Sequence, residues 1–272
     1  MFINKYLFII FSVLFLLTST QTGRASAGLE DYGIDDLPNV IMSYRYDGAY
    51  SPFKYVQVRV EGPDKTICSF QYFNQAEQIA EVYLDKNFLK DLIRHYTALD
   101  FFNYDFNKIT ESSDENHIIE DAGRTTFSYH YKDKARKISY EIIKTKTQGH
   151  LAIPINDNAK KLLGLQNMYW QIINLQIYKD KLKNYQKLDK GTLANELSSL
   201  AQDAERKEIL NSKELVPLVM EIISQGEFRD SIGQYAASAL KEITQEHIPG
   251  DWWDCQKWLK WWEVNKSSYE KN

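Results

Sequence analysis

Between Phe53 and Val60 the chain alternates, with Val56, Val58 and Val60 on one side and Tyr55, Gln57 and Arg59 on the other, the period of a half-buried strand. Thr66–Tyr72 follows after Glu61-Gly62-Pro63-Asp64-Lys65, so the two runs read as a hairpin closed by a Gly-Pro-Asp turn. Asn39–Tyr46 forms a strand before it, ended by Asp47-Gly48. The period then changes. Phe88, Leu89, Leu92, Ile93, Tyr96 and Leu99 recur at three-four spacing behind Asp85, a good helix N-cap, and predict a helix laying one apolar stripe on the sheet.

Thr110–Asp121 carries five acids and almost no apolar periodicity, so it reads as a mobile surface loop. A second hairpin follows. Phe127, Tyr129 and Tyr131 share a face in Thr125–Tyr131, Ile138, Tyr140 and Ile142 share one in Lys137–Ile143, and Lys132-Asp133-Lys134 turns the chain. Two hairpins with a helix between them predict a mostly antiparallel sheet with helices on one side. Ala159–Tyr178, with Leu162, Leu165, Met168, Tyr169, Ile172 and Leu175 at helical spacing, supplies a second covering helix.

After Leu188 strand signals vanish. Leu193, Leu197 and Leu200, then Leu215, Leu218, Val219, Ile222 and Ile223, then Ile232, Tyr235, Ala236, Ala239, Leu240 and Ile243 all recur at helical spacing. Ser212–Thr244 resembles a HEAT-type repeat: Glu214-Leu215-Val216-Pro217-Leu218 matches the first-helix start with its Pro, and Ile232 with Ala236, Ala237, Ala239 and Leu240 matches the small-residue second helix. With a partial unit from Gly191 to Asp203 there are at most two layers, fewer than a solenoid needs. The resemblance implies a helix-pair layer used for protein contacts rather than a reaction. Trp258, Trp261 and Trp262, spaced i, i+3 and i+4, resemble the W-xx-WW ending of many bacterial exported HEAT-like proteins. They make physical sense as an end cap over the open apolar end of the stack. Leu99-Asp100-Phe101-Phe102 and the two-hairpin plan resemble uncharacterised bacterial exported α+β domains, which implies no activity.

The fold class expected is therefore α+β: an antiparallel sheet domain over residues 28–188, then a small all-α HEAT-like module over 189–272. Residues 1–27 stand apart. Lys5 precedes the apolar run Tyr6–Leu17, and Ala25-Ser26-Ala27 places small residues where a signal peptidase reads, so cleavage is expected before Gly28. An uncleaved anchor is the alternative, because Gly23 and Arg24 crowd the site; a lipid anchor has no cysteine to use, the first being Cys68. Processing would remove two cationic residues and no acid, taking the formal charge from -4 to -6. An exported protein, periplasmic or secreted and without a membrane segment after processing, is the expectation.

Composition narrows the functions. With 43% hydrophobic residues, 14% aromatic, 12 Gly and 6 Pro, the chain has material for cores and is not low-complexity. Its acidic balance gives no electrostatic case for nucleic acid, whose binding rests on clustered Lys and Arg. Two cysteines, Cys68 and Cys255, exclude a zinc ribbon or a disulfide scaffold. They are either two buried thiols or one long-range disulfide, which in an oxidising compartment would be worth on the order of 4 kcal/mol.

Motifs for catalysis are missing: there is no GxSxG, HExxH or Gly-rich phosphate loop, and His95, His117, His130, His150 and His247 form no HxH or HxxxH pair. His95 reads as exposed or at an edge, and His130 faces outward from its strand. Asp114, Glu115, His117, Glu120 and Asp121 form the best metal-like cluster but lack the alternating ligands and central Gly of a calcium loop, so they read as a solvated acidic loop. No catalytic, cofactor-binding or metal residues are nominated, and no cofactor is expected. The reading is an exported noncatalytic protein-binding or adaptor protein. Its competitor is a carbohydrate-binding protein or hydrolase with a site assembled from distant residues, for which Trp258, Trp261 and Trp262 would offer the glycan contact.

Overall fold

A computed structural model of the protein describes residues 32–48, 52–111, 123–148, 151–225, 231–246 and 254–269. The chain forms two compact units, Met1–Tyr169 and Trp170–Asn272. The processing site and the acidic cluster from Asp114 to Asp121 lie outside the described residues.

In the first unit six antiparallel strands form one sheet in the order β4-β3-β2-β1-β6-β7: β1 (Val40–Asp47), β2 (Phe53–Glu61), β3 (Thr66–Tyr72), β4 (Gln78–Glu81), β6 (Arg124–Tyr131) and β7 (Lys134–Tyr140). Alternation sorts the side chains, because successive residues of a strand point to opposite faces. Met42, Tyr44, Val56, Val58, Val60, Cys68, Phe127 and Tyr129 all point to one face and are buried. The chain leaves β2 through Gly62, whose φ of +73° suits glycine and where a Cβ would stand 3.1 Å from Pro38 Cα.

Helix α1 (Lys86–Ala98) starts where Asp85 accepts hydrogen bonds from the amides of Asn87 and Phe88, at 2.8 and 3.0 Å. Its buried stripe is Leu89, Leu92, Ile93 and Tyr96. Tyr96 and Tyr169 join their hydroxyls at 2.8 Å, Tyr44 stacks on Tyr169 with centroids 5.2 Å apart, and Tyr96 meets Tyr129 at 4.6 Å. Helices thus cover the buried face with an aromatic core. Arg136 closes its margin, donating to the carbonyls of Phe101 and Tyr104, both at 2.7 Å, with its guanidinium 5.1 Å from the Phe106 ring.

Four local expectations change. The second hairpin turns on two residues, Lys132 and Asp133, with Lys134 already paired to Tyr131; Lys132 at φ 55° makes so tight a turn feasible. Its returning strand ends at Tyr140, and Ile142–Ile143 forms β8, paired with β5 (Thr110–Glu111) in a separate two-stranded sheet. Ile142 therefore does not join Ile138 and Tyr140 in the core and is 37% exposed. Strands β9 (Thr145–Gln148) and β10 (Leu151–Pro154) pair with each other.

Helix α2 is longer than its periodicity suggested, Asp157–Lys183, and the division between the units falls inside it, after Tyr169. The change of character at Leu188 marks instead the gap between α2 and α3 (Lys190–Glu205). The second unit adds α4 (Val216–Ser224), α5 (Ser231–Thr244) and α6 (Cys255–Asn265). Its core unites Leu175, Tyr178 and Leu182 of α2 with Leu193, Leu197 and Leu200 of α3. Val219 and Ile222 of α4, Ala236, Ala237, Ala239 and Leu240 of α5, and Trp258 of α6 complete it. The alanines suit close helix approach, since interaxial distances depend on side-chain size at the contact.

Candidate functional site

Among the described residues the sheet's second face is left open. Register lines up Lys137, Ser128, Ser43, Arg59, Ile67 and Glu81 in one row across all six strands, and Ser139, Thr126, Arg45, Gln57, Ser69 and Ile79 in the next. None of these residues is buried. Hydroxyls bridge neighbouring strands, Ser43 to Ser128 at 2.6 Å and Thr126 to Ser139 at 2.9 Å.

Arg45 organises the centre of this face. Its guanidinium donates to both carboxylate oxygens of Asp47 at 2.6 to 3.0 Å and to Gln57 Oε1 at 3.2 Å, and lies 4.5 Å above the Tyr55 ring. Such a fork-shaped, stacked contact is specific to arginine. The hydrogen bond to Asp47 raises the Arg45 pKa further. Tyr55 in turn donates its hydroxyl to Glu77, and burial, followed by that carboxylate, lifts its phenol above the ordinary value. Nearby, Glu61 accepts from Arg59 and pairs with Lys65, both at 2.6 Å, and the two cations, Lys65 foremost, lower its pKa.

The apolar content of the face concentrates toward β4. Ile79 is 67% exposed, Tyr83 just beyond the strand 73%, and Phe73 just after β3 47%. Large apolar side chains left in water close to an edge strand are a mark of interaction surfaces. Together with the Arg45 cluster they make a surface that is polar at its centre and apolar toward one edge. Such a surface exposes hydrogen-bond groups and rings side by side.

In the helical unit, Tyr178 donates to Asp203 Oδ2 at 2.6 Å, Lys181 pairs with Glu196 at 2.7 Å, and Lys179 pairs with Glu214. Burial raises the pKa of Asp203. It does the same for Glu208, where the Asp203 charge adds to it. These contacts tie α2 to α3 and to the turns that follow. Two buried side-chain groups, Thr66 Oγ1 and Gln176 Nε2, find no hydrogen-bond partner among the described residues.

Residues singled out from the sequence scatter. Trp258 is fully buried, with no ring face to offer a sugar, while Trp261 and Trp262 are half-buried against the same core. Trp258 meets Trp261 edge-on at 5.4 Å, and Tyr269 lies 5.8 Å from both Trp261 and Trp262. His130 is exposed. His95 is half-buried, and burial lowers its pKa; His117, His150 and His247 lie outside the described residues. Cys68 is a free thiol in the sheet core, pushed up to about 12 by burial. Among the described residues no group of three His, Cys, Asp or Glu is placed to hold a metal ion, and no helix is long and apolar enough to cross a membrane.

Sequence reasoning missed the β4 edge and the Arg45–Tyr55–Glu77 chain. A signal for the strand existed in the alternation of Ala80, Val82 and Leu84, of which Val82 and Leu84 are buried. The polar chain had no sequence signal, since its members meet only through strand register. Compared with known proteins, the chain matches no family model, and no match to a curated protein was found.

Proposed function

We propose that the chain is an exported, noncatalytic protein-binding or adaptor protein whose sheet domain presents its open face to a protein partner. The observation that carries this reading is the join, on one accessible surface, of the Arg45–Tyr55 cluster with the exposed Ile79, Tyr83 and Phe73. Arg and Tyr beside apolar anchors is the composition enriched at protein interfaces. The helical unit supports an adaptor role in a second way: its α5 alanines are buried as a helix-pair layer requires.

The test is affinity capture from an envelope fraction with protein starting at Gly28, read by mass spectrometry, alongside a variant carrying Arg45→Ala and Tyr55→Ala. A partner retained by the wild type and lost by the variant is the expected result. No partner, together with retention on a glycan array that Trp261→Ala and Trp262→Ala abolish, would replace this reading with a carbohydrate-binding one. Export is checked separately by sequencing the N-terminus of the protein from cells. Gly28 is the expected first residue; an intact Met1 in the membrane fraction counts against it.

A further inference from the structure

From the outer edge of β4 we infer that the protein takes up an extended peptide segment as a seventh antiparallel strand, one with a basic residue facing Glu81 and apolar residues facing Ile79 and Tyr83. The inference rests on the protein-binding reading and specifies its ligand class. β4 closes the sheet on one side, with β3 as its sole neighbour among the described residues. The Val82 amide donates to the Thr66 carbonyl at 2.9 Å, so residues 78, 80 and 82 direct their backbone groups inward to β3. In an antiparallel ladder the hydrogen-bonding residues alternate. Ile79 and Glu81 therefore turn their N–H and C=O outward, and these groups have no partner among the described residues.

The two edges of the sheet are defended differently. β7 carries Lys134, Arg136 and Lys137, the cationic side chains that discourage strand addition, whereas β4 has no Lys, Arg or Pro. Its side chains on the open face are Ile79 and Glu81, continued by Tyr83 and preceded by Glu77.

That pattern selects against a second copy of the same strand. Three antiparallel registers overlap two β4 edges most fully. Centred on Ile79, each Glu81 faces Glu77 of the second copy; centred on Glu81, two Glu81 carboxylates meet; centred on Ala80, each Glu81 faces Ile79. The first two oppose like charges and the third sets a carboxylate against an alkyl group, all unfavourable cross-strand pairs. A strand bearing Lys or Arg in place of those acids, with apolar residues between, meets every position with a favourable partner. Strand addition of this kind draws affinity from main-chain hydrogen bonds and specificity from alternate side chains.

The probe is a labelled, end-blocked peptide Val-Thr-Lys-Thr-Val-Thr-Lys, which running antiparallel sets its valines at Tyr83 and Ile79 and its lysines at Glu81 and Glu77. A second peptide has glutamate for each lysine, and binding to the full chain is followed by fluorescence anisotropy. Wild type is expected to bind the lysine peptide at least about tenfold more tightly than the glutamate one. Ile79→Pro removes one outward donor at an edge position that tolerates proline and is expected to weaken binding at least about fivefold. Glu81→Lys, a surface change that leaves the strand intact, gives each peptide one opposite-charge and one like-charge pair and is expected to abolish the preference between them. It carries the test if circular dichroism shows that Ile79→Pro disturbs the fold. Equal affinity of the wild type for the two peptides, no binding of either, or a preference that Glu81→Lys leaves unchanged overturns the proposal. So does a wild-type dimer that Ile79→Pro converts to monomer, which would make the occupant a second copy. An envelope partner captured equally by wild type and Ile79→Pro would sink the edge site while leaving the protein-binding reading in place.

Discussion

The two units fill their cores in different ways. Behind the sheet, rings dominate and their hydroxyls are tied: Tyr96 to Tyr169 at 2.8 Å, Tyr140 to Gln166 at 3.0 Å, and Tyr129 to the Tyr32 carbonyl. Between the helices the filling is mainly aliphatic, with leucines from α3, Val219 and Ile222, three alanines of α5 and, among the described residues, the rings of Trp258, Tyr178 and Tyr185. A flat sheet face needs large side chains to reach a covering helix, and a phenol there must also satisfy its oxygen. Helix pairs approach closely and ask mainly for the right volumes. The sheet core is thus specified by direction, the helical core by fit. Spectroscopy separates the two, because all six tryptophans lie at Trp170 or beyond.

The largest break in this contrast comes from removing the largest ring of the helical core. Trp258→Ala is expected to cost about 3 to 5 kcal/mol. The unfolding midpoint followed by the remaining tryptophans in urea should fall, while the tyrosine near-ultraviolet signal of the sheet unit keeps its own. A tryptophan midpoint equal to wild type would show that Trp258 fills no essential space. Next in size is overfilling: Ala239→Leu adds volume at a fully buried position and should destabilise the same transition by about 1 to 3 kcal/mol. Gain of stability there would mean that the helices hold unused space.

Direction in the sheet core is tested by a cycle. Tyr169→Phe leaves the Tyr96 hydroxyl buried without its partner and should cost about 1 to 3 kcal/mol, whereas Tyr96→Phe combined with Tyr169→Phe should recover much of that loss. Additive losses would show that the two hydroxyls act independently. The smallest effect is expected at Asp203. Burial raises its folded pKa, so the folded state holds the proton more tightly than the unfolded one. Its contribution to stability is full below the ordinary aspartate range near about pH 4 and is lost as pH rises through the raised value. Asp203→Asn keeps an acceptor for Tyr178 and has no charge to bury. Its stability relative to wild type should therefore rise between pH 4 and 7 in urea melts, and a difference independent of pH would argue against the shift.

Much of this contrast was legible beforehand. Val56, Val58 and Val60 announced a buried strand face, Leu193, Leu197 and Leu200 a buried helix face, and Asp85 the start of α1, because each pattern rests on local geometry that a few residues determine. The burial of Trp258 followed from its spacing with Trp261 and Trp262. Of the candidate site, the individual residue types were visible and their meeting was not.

What the sequence determined by itself is the set of main strands and helices, the side each one buries, and the α+β class, all written in periods of two and of three to four. Tertiary structure alone decided the strand order, with β1 between β2 and β6, and the extension of α2 beyond its apparent stripe. The residues added at its end, 179–183, hold one buried apolar side chain, Leu182, so no stripe marked the helix's end. Only tertiary structure, too, put Gln78–Glu81 at the edge of the sheet: the alternation of Ala80, Val82 and Leu84 signals an extended segment but not which strand it lies beside. Arg45, Tyr55 and Glu77 meet for the same reason. Strand pairing joins residues far apart in the chain, and no local period encodes which strand will lie beside which.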